Sequence, residues 1–334
     1  MFADIKRHDI EGAIRVSLSV GLPLLALHVI GRLDLAAYAA FGGLAMLYGH
    51  GEARKRRVQS QIVAGVGLVV AIAVAAAYSA ALAPLFVLGA LLTATVIAAV
   101  TLGTVMQWQP RGEMFFVLVL LIIASIPTSW DRLPLGVAVG AAGAAFSVLL
   151  AALNFFGAAA DEPKPDAWHR RIASGYADLD HRRHLILIAA ATLGVLAAWL
   201  LALAFHVGHP FWAPVTVAAL MPALASADVW RRTIHLMLGT LGGVGIAAFL
   251  FSFDPGHGTL IAIIVVCQAI AEIVVSRNYG LSLLFFSPLA IGMSNLTRGL
   301  PWPPVIIDRL IEAVLGTAVA FLTIFLGRRI LKVS

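Results

Sequence analysis

The sequence predicts an all-α polytopic membrane protein of about 12 transmembrane helices, built as two parallel six-helix repeats. Two observations support the membrane class. The 334 residues are 61% hydrophobic and 12% charged, with a mean hydropathy of +0.95, whereas soluble domains are about 45–50% apolar and about 25% charged. Apolar runs of membrane-spanning length also recur along the whole chain. A third observation, a matching order of runs in the two halves, predicts the repeat.

Each half of the chain contains six apolar runs of transmembrane length or slightly less. In the first half they cover residues 13–30, 35–48, 60–82, 84–106, 114–127 and 135–156. In the second half they cover residues 185–205, 211–225, 236–251, 259–275, 281–293 and 311–326. The second and fifth runs of each half are short, which indicates buried or broken helices instead of lipid-facing ones.

The runs divide the chain into residues 1–157, a first membrane unit, and residues 185–334, a second one. Residues 158–184 form the one long hydrophilic connection, and Pro163 and Pro165 are typical of a linker. Beyond them, Trp168 and Ile172 share a helical face flanked by arginines, which predicts an interfacial helix on the inner leaflet. A solvated linker is the alternative.

The basic residues predict the orientation. With the N-terminus inside, 19 of the 23 Lys and Arg residues lie on the cytoplasmic side, and both termini are cytoplasmic. Topology therefore explains the net charge of +6, and no nucleic acid partner is expected. The expected location is the bacterial inner membrane. The single cysteine, Cys267, excludes an intramolecular disulfide and a cysteine metal cluster.

The repeat rests on alignment of the chain with itself. A shift of 174 residues places Tyr38 on Trp212 and Arg57 on Arg231, and a shift of 173 places Gly143 on Gly316. Six spans are an even number, so the two copies insert the same way up, with a path for a substrate between them.

Basic residues lie just before the predicted span of residues 236–251. Arg231, His235, Gly239 and Gly243 are spaced by four residues and share one helical face, and Arg232 adjoins them. A helix N-terminus carrying arginines attracts anions. The arginines thus indicate an anion vestibule or, equally, insertion anchors; the glycines, with Gly316, indicate helix packing.

Two further sites place carboxylates within spans. Glu272 follows Gln268 by one turn in an apolar run, where a charge costs up to about 2.5–3.5 kcal/mol, so it is the candidate proton-coupling residue. A structural partnership with Arg277 or His235 is the alternative. Near the start of the last span, Arg309 can reach Glu312 three residues on, which favours a structural ion pair at the mouth of the path.

Aromatic residues near these polar signals could stack on a flat ligand, although most aromatics in membrane proteins only pack. They are Trp212, Tyr279, Phe285 and Phe286. The sequence contains no nucleotide-binding loop, metal-ligand cluster or nucleophile constellation, so we expect neither enzymatic activity nor a cofactor.

Four strings of the second half resemble a known family: FWAPVTVAALM from residue 211, RRTIHLMLGTLGG from 231, RNYGLSLLFFSPLA from 277 and DRLIEAVLGT from 308. Together they are similar to the fusaric acid resistance protein-like family of aromatic acid exporters. Carried over by this resemblance, the matching positions are Trp212, Arg232, His235, Gly239, Thr240, Asn278, Tyr279, Phe286, Pro288, Arg309 and Glu312. The first half departs from the pattern, with Val66 after Gly65 and Val139 in the slot of Glu312.

The resemblance implies a proton-driven or gradient-driven exit path for organic anions, especially aromatic carboxylates. We expect a secondary transporter that exports small organic acids with proton coupling. The alternatives are a passive organic-anion channel and a non-transporting membrane scaffold. The expected partners are the organic anion, membrane lipid and either a second copy of the chain or a periplasmic adaptor protein.

Overall fold

The computed structural model describes residues 7–49, 51–108, 113–153, 166–225, 229–275, 277–296, 299 and 301–331. This part of the chain is helical throughout. The α-helices, numbered in chain order, are Arg7–Val29 (α1), Ala36–Gly43 (α2), Arg54–Ala80 (α3), Leu85–Val105 (α4), Met114–Ala124 (α5), Leu133–Ala152 (α6), Trp168–Ala177 (α7), His181–Ala204 (α8), Trp212–Leu220 (α9), Val229–Phe251 (α10), His257–Val275 (α11), Tyr279–Leu296 (α12) and Trp302–Leu331 (α13).

Eight helices are long and apolar enough to cross a membrane: α1, α3, α4, α6, α8, α10, α11 and α13. Each coincides with a predicted span, because an uninterrupted apolar run sets both the helix and its length. The predicted second and fifth runs of each half are shorter helices, α2, α5, α9 and α12. The polytopic helical class is thus confirmed, while twelve complete crossings stay a prediction.

The two shortest of these helices, α2 and α9, are buried. All eight residues of α2 are buried, and in α9 every residue except Ala219 is. At 1.5 Å per residue each is about 12–14 Å long, against a hydrocarbon thickness of about 30 Å. The 3₁₀ turn Leu33–Leu35 leads directly into α2, whereas α9 begins at the buried Trp212 without such a turn in the described residues before it, so the first backbone N–H groups of α9 need partners from another helix.

The chain forms two compact units. The first comprises Met1–Val69, Pro134–Pro165 and Leu238–Ile306, and the second comprises Val70–Leu133, Asp166–Met237 and Ile307–Ser334. Each unit therefore combines segments of both halves of the chain. The predicted division into residues 1–157, 158–184 and 185–334 follows chain order and stays a prediction, although a helix, α7, does lie in the predicted linker.

In the first unit α1 packs on α11, α11 on α12, and the short α2 on α1. Small residues allow close approach around α2. Gly43 faces the Val20 side chain of α1, and a Cβ at Gly143 of α6 would collide with the carbonyl oxygen of Ala39. Close backbone packing through glycine is typical of helices within membranes.

In the second unit α8 packs on α4 and on the short α9, and α5 packs on both α4 and α9. Gly194 of α8 faces the Val217 side chain of α9. A Cβ at Gly316 of α13 would lie 2.5 Å from the carbonyl oxygen of Ala213. The second unit therefore encloses α9 with glycines, as the first encloses α2.

Candidate functional site

The N-terminus of the buried helix α9 carries a carboxylate supplied by α13. The Glu312 Oε2 atom accepts hydrogen bonds from the backbone N–H of Trp212, at 2.5 Å, and of Ala213, at 3.0 Å. Phe211, the residue at the N-cap position, provides no side-chain hydrogen bond. Glu312 therefore caps α9 from another helix, with its negative charge at the positive end of the helix dipole.

Two further pairs lie next to this cap. The Arg309 guanidinium lies over the Trp212 ring, 4.5 Å from its centroid. The Nδ1 atom of His209 lies 2.6 Å from Oδ2 of Asp308. The sequence prediction pairs Arg309 with Glu312 along one helix. In the structure both side chains also reach α9, Arg309 over the Trp212 ring and Glu312 at the helix end. The cause is the close approach of α9 and α13 at Gly316.

The cluster is deeply buried. Trp212 is 3% exposed, Arg309 8% and Glu312 0%. Among the described residues, the Nε1 atom of Trp212 and the Oε1 atom of Glu312 are buried without a hydrogen-bond partner. A buried polar atom without a partner costs about 1–3 kcal/mol, so a polar ligand that reached these atoms would recover that energy.

The α9–α13 cluster combines positive groups, carboxylates and a flat apolar ring. The end of α9 and the Arg309 guanidinium are positive, and the Trp212 ring offers a flat apolar surface. Within the described part of the chain, no group of three His, Cys, Asp or Glu side chains could hold a metal ion.

The predicted vestibule on α10 is divided between the units. Arg231 is exposed and His235 is half-buried, and both belong to the second unit. Gly239 and Gly243 belong to the first unit, where each lies against the backbone of α12, at Gly280 and Leu283. The Arg232 side chain lies outside the described residues. The hydrogen bonds that build the α9 cap include neither Arg231 nor His235.

The remaining predicted residues lie in the first unit. Glu272 is buried and accepts a hydrogen bond of 3.2 Å from Gln268, one turn earlier on α11. Its proposed alternative partner, Arg277, instead donates to the carboxylate of Asp9, at 2.6 Å. The Asn278 side chain is exposed and accepts a hydrogen bond from the Leu281 backbone N–H. Phe286 is half-buried, and the side chain of Tyr279 lies outside the described residues.

Sequence reasoning missed three polar residues of the second unit. His209 belongs to the α9–α13 cluster, and its only local signal is its position three residues before Trp212. Glu113 and His184 line a cavity, described below. Burial raises the pKa of Glu113 to about 7. The sequence does contain a signal for Glu113, because this carboxylate stands directly before the apolar run of residues 114–127.

Comparisons with known proteins agree with the sequence resemblance. The family model described as fusaric acid resistance protein-like matches residues 196–323. A Bacillus subtilis protein named uncharacterized membrane protein YvaC is 30% identical over 148 residues, which are 43% of this chain. The match spans only 24% of that relative's length. No solved structure matches the chain.

The matched segment contains Trp212, Arg309 and Glu312, and also Glu272. It extends from α8 to α13, so it includes the capped helix α9 and the helix that caps it. The resemblance predicted from the four sequence strings is thereby confirmed: residues 196–323 match the fusaric acid resistance protein-like model, and the relative that matches the chain is named as a membrane protein.

Proposed function

We propose that the protein is a secondary transporter that exports small aromatic acids across the bacterial inner membrane, coupled to protons. The observation that carries this proposal is the Glu312 carboxylate on the N-terminus of the buried helix α9, beside the Trp212 ring. The family match supports a membrane transport role, and the α9 cluster is the basis for the choice of substrate class.

The first step is exchange of one carboxylate for another. Short helices inside transporters offer their N-termini to anionic substrate groups. In this protein the position is occupied by Glu312. An organic acid would take the backbone N–H groups of Trp212 and Ala213 when Glu312 withdraws, and its ring would stack on Trp212 in place of, or together with, Arg309.

The second step links this exchange to a proton. A buried carboxylate that leaves its hydrogen-bond donors is stable in an apolar interior only when it is neutral. Glu312 would therefore take one proton from the periplasmic side as the substrate anion arrives from the cytoplasm, and would release that proton to the cytoplasm as the anion leaves outward. The charge of the cluster stays constant, since one anion replaces another.

Glu272 remains the second candidate for the proton. It is buried in α11 and hydrogen-bonded to Gln268, in the first unit. A carboxylate within a membrane span costs free energy to insert into the bilayer, and residues that carry this cost usually have a function. Comparison of Glu312→Gln with Glu272→Gln separates the two assignments, because each variant keeps the shape of the side chain and removes its charge.

The test is efflux of fusaric or hydroxybenzoic acid from loaded, energised cells that express the protein, with and without an uncoupler. We expect expression to accelerate efflux and the uncoupler to abolish the acceleration. Efflux that persists under uncoupler would support the passive channel instead. Rates equal to those of the empty vector for every organic acid tried would refute transport.

Trp212→Leu supplies the site-specific arm of this test. Loss of the ring should slow efflux about tenfold, since stacking and cation–aromatic contacts contribute about 1–2 kcal/mol. The matched control is Tyr38→Leu, which removes the aromatic residue at the corresponding position of α2. Equal slowing in the two variants would contradict the assignment to α9.

A further inference from the structure

A cavity of about 710 Å³ lies within the second unit, apart from the α9 cap. Its walls come from the C-terminal part of α4, from Glu113 before α5, from the junction of α7 and α8, and from the turn after α9 at Met221 and Pro222. Most of these residues precede the segment that matches the family model. Cavities of about 300–1,000 Å³ accommodate small organic ligands.

The wall formed by α7 is held in place. The Arg171 guanidinium is buried and donates a hydrogen bond of 2.6 Å to the carbonyl oxygen of Met106, at the end of α4. Gly175, which lines the cavity, lies against the backbone of Val105. This side of the cavity is therefore a fixed wall.

Part of the lining is apolar, with contributions from Val100, Leu179, Leu187, Ala191 and Leu224. Two polar side chains are buried within it. Glu113 is 2% exposed and His184 is 8% exposed. The Nε2 atom of His184 lies 3.3 Å from the Thr101 hydroxyl. Among the described residues, His184 Nδ1 and Glu113 Oε1 are buried without a hydrogen-bond partner, so a ligand N–H group that reached them would satisfy both.

The charges that line the cavity favour a cation. The lining contains three carboxylates, of the buried Glu113 and the exposed Asp178 and Asp180, and one guanidinium, of the exposed Arg183. The Asp180 carboxylate also caps α8, because it accepts a hydrogen bond from the Arg183 backbone N–H. An organic anion would meet more negative than positive charge in this cavity, whereas a cation would pair with a buried carboxylate.

We propose that this cavity is a second binding site, for an organic cation in which a protonated amine is attached to a small apolar group. The ammonium would donate hydrogen bonds to Glu113 Oε1 and to the Nδ1 atom of neutral His184. The apolar group would lie against Val100, Leu187 and Leu224. The site is distinct from the anion-binding end of α9 and does not depend on the transport role proposed above.

The affinity of this site should depend on pH. Because burial raises the pKa of Glu113 to about 7, a bound ammonium would displace the proton that Glu113 holds in weakly acidic solution. Affinity should therefore rise as the pH is raised from about 6 to about 8. The other titratable and charged groups that face the cavity from the described elements are His184, Asp178, Asp180 and Arg183, and Arg171 lies behind the α7 wall.

The test is isothermal titration of the purified protein in detergent with three matched ligands: benzylammonium, benzyl alcohol and benzoate. We expect benzylammonium to bind, and to bind at least about tenfold more tightly than the other two, since a desolvated ion pair contributes more than about 1.4 kcal/mol. Benzoate binding as tightly as benzylammonium would overturn the proposal.

Glu113→Gln should weaken benzylammonium binding at least about tenfold and remove its dependence on pH. Asp131→Asn is the matched control, since it removes an exposed carboxylate of the same unit outside the cavity lining. Unchanged binding in Glu113→Gln would refute the site. Leu187→Trp provides a second variant that keeps every charge and fills the cavity; it should also abolish binding, and normal binding in it would refute the site independently.

Discussion

The two compact units enclose their short helices with the same packing but with different chemistry. Gly143, which lies against Ala39 in the first unit, corresponds to Gly316, which lies against Ala213 in the second, at shifts of 173 and 174 residues respectively. Val20 packs on Gly43 in the first unit, and at the corresponding positions of the second unit Gly194 packs on Val217. The large and the small residue have therefore exchanged positions. These matched contacts support the predicted repeat.

The chemistry differs at the N-terminus of each short helix. In the second unit Trp212 lies under Arg309, and the end of α9 is capped by Glu312. At the corresponding positions of the first unit, Gly136 lies against Tyr38, and Val139 replaces the carboxylate. A 3₁₀ turn, Leu33–Leu35, leads into α2, and backbone carbonyls accept hydrogen bonds from Leu35 and Ala36. In the described residues 205–211 no such turn precedes α9, where the Glu312 carboxylate accepts the first N–H groups instead.

The largest expected effect tests the shared packing. Gly143→Leu and Gly316→Leu would each force a side chain into a backbone carbonyl, so both variants should lose well-folded protein, at a cost of about 3 kcal/mol or more. Size-exclusion chromatography of detergent extracts measures the loss. Gly245→Leu is the control, because nothing lies within 4 Å of a Cβ at Gly245. If only one of the two variants is lost, the two units do not share this packing.

A second prediction concerns Glu113, whose corresponding position in the first unit, at a shift of 170, is the buried Leu283. The folded protein holds a proton on Glu113 up to pH about 7, whereas the unfolded chain releases it near the ordinary value of 4.5. Stability from this group is thus complete below 4.5 and is lost as the pH rises to about 7, by at most about 3 kcal/mol.

Thermal unfolding in detergent across this pH range measures the effect. The unfolding midpoint of the wild type should fall as the pH rises, and Glu113→Gln should flatten the curve. If the unfolding midpoint of Glu113→Gln depends on pH as that of the wild type does, the pH dependence arises from another group. The difference between Glu113 and Leu283 would then not affect stability.

The third prediction compares the two short-helix ends directly. Glu312→Ala removes the acceptor of two buried N–H groups, so it should lower the free energy of unfolding by about 2 kcal/mol. Val139→Ala removes only apolar contacts and should cost about 1 kcal/mol or less. Unfolding midpoints of both variants provide the comparison, and equal costs would show that the Glu312 cap contributes nothing beyond packing.

The smallest effect is expected at the start of α1. Asp9→Asn removes the carboxylate that pairs with Arg277 and should cost about 1 kcal/mol, because the arginine is partly exposed. The corresponding positions of the second unit, Arg183 and Gln107, line the open cavity. Arg183→Ala should therefore leave the unfolding midpoint unchanged. If Arg183→Ala lowers the midpoint as much as Asp9→Asn does, the two units do not differ in stability at these positions.

The spans could be predicted from the sequence because an apolar run is a local property, and the short lengths of α2 and α9 followed from the same runs. The composition of the compact units could not, since it depends on contacts between distant segments, such as Asp9 with Arg277. The sequence also pointed to Trp212, Arg309 and Glu312 through the family pattern. It could not reveal that Glu312 caps α9, because that contact requires α13 to approach α9 at Gly316.

The pair formed by Asp9 and Arg277 also sets a requirement on the timing of biosynthesis. The two residues are 268 positions apart. At roughly 5–20 residues per second, a ribosome needs about 15–50 seconds to extend the chain from one to the other. During that interval α1 lies in the bilayer without α11, its native neighbour. Until translation supplies its arginine, the Asp9 carboxylate, in the first turn of α1, must be solvated by water or lipid headgroups at the membrane surface.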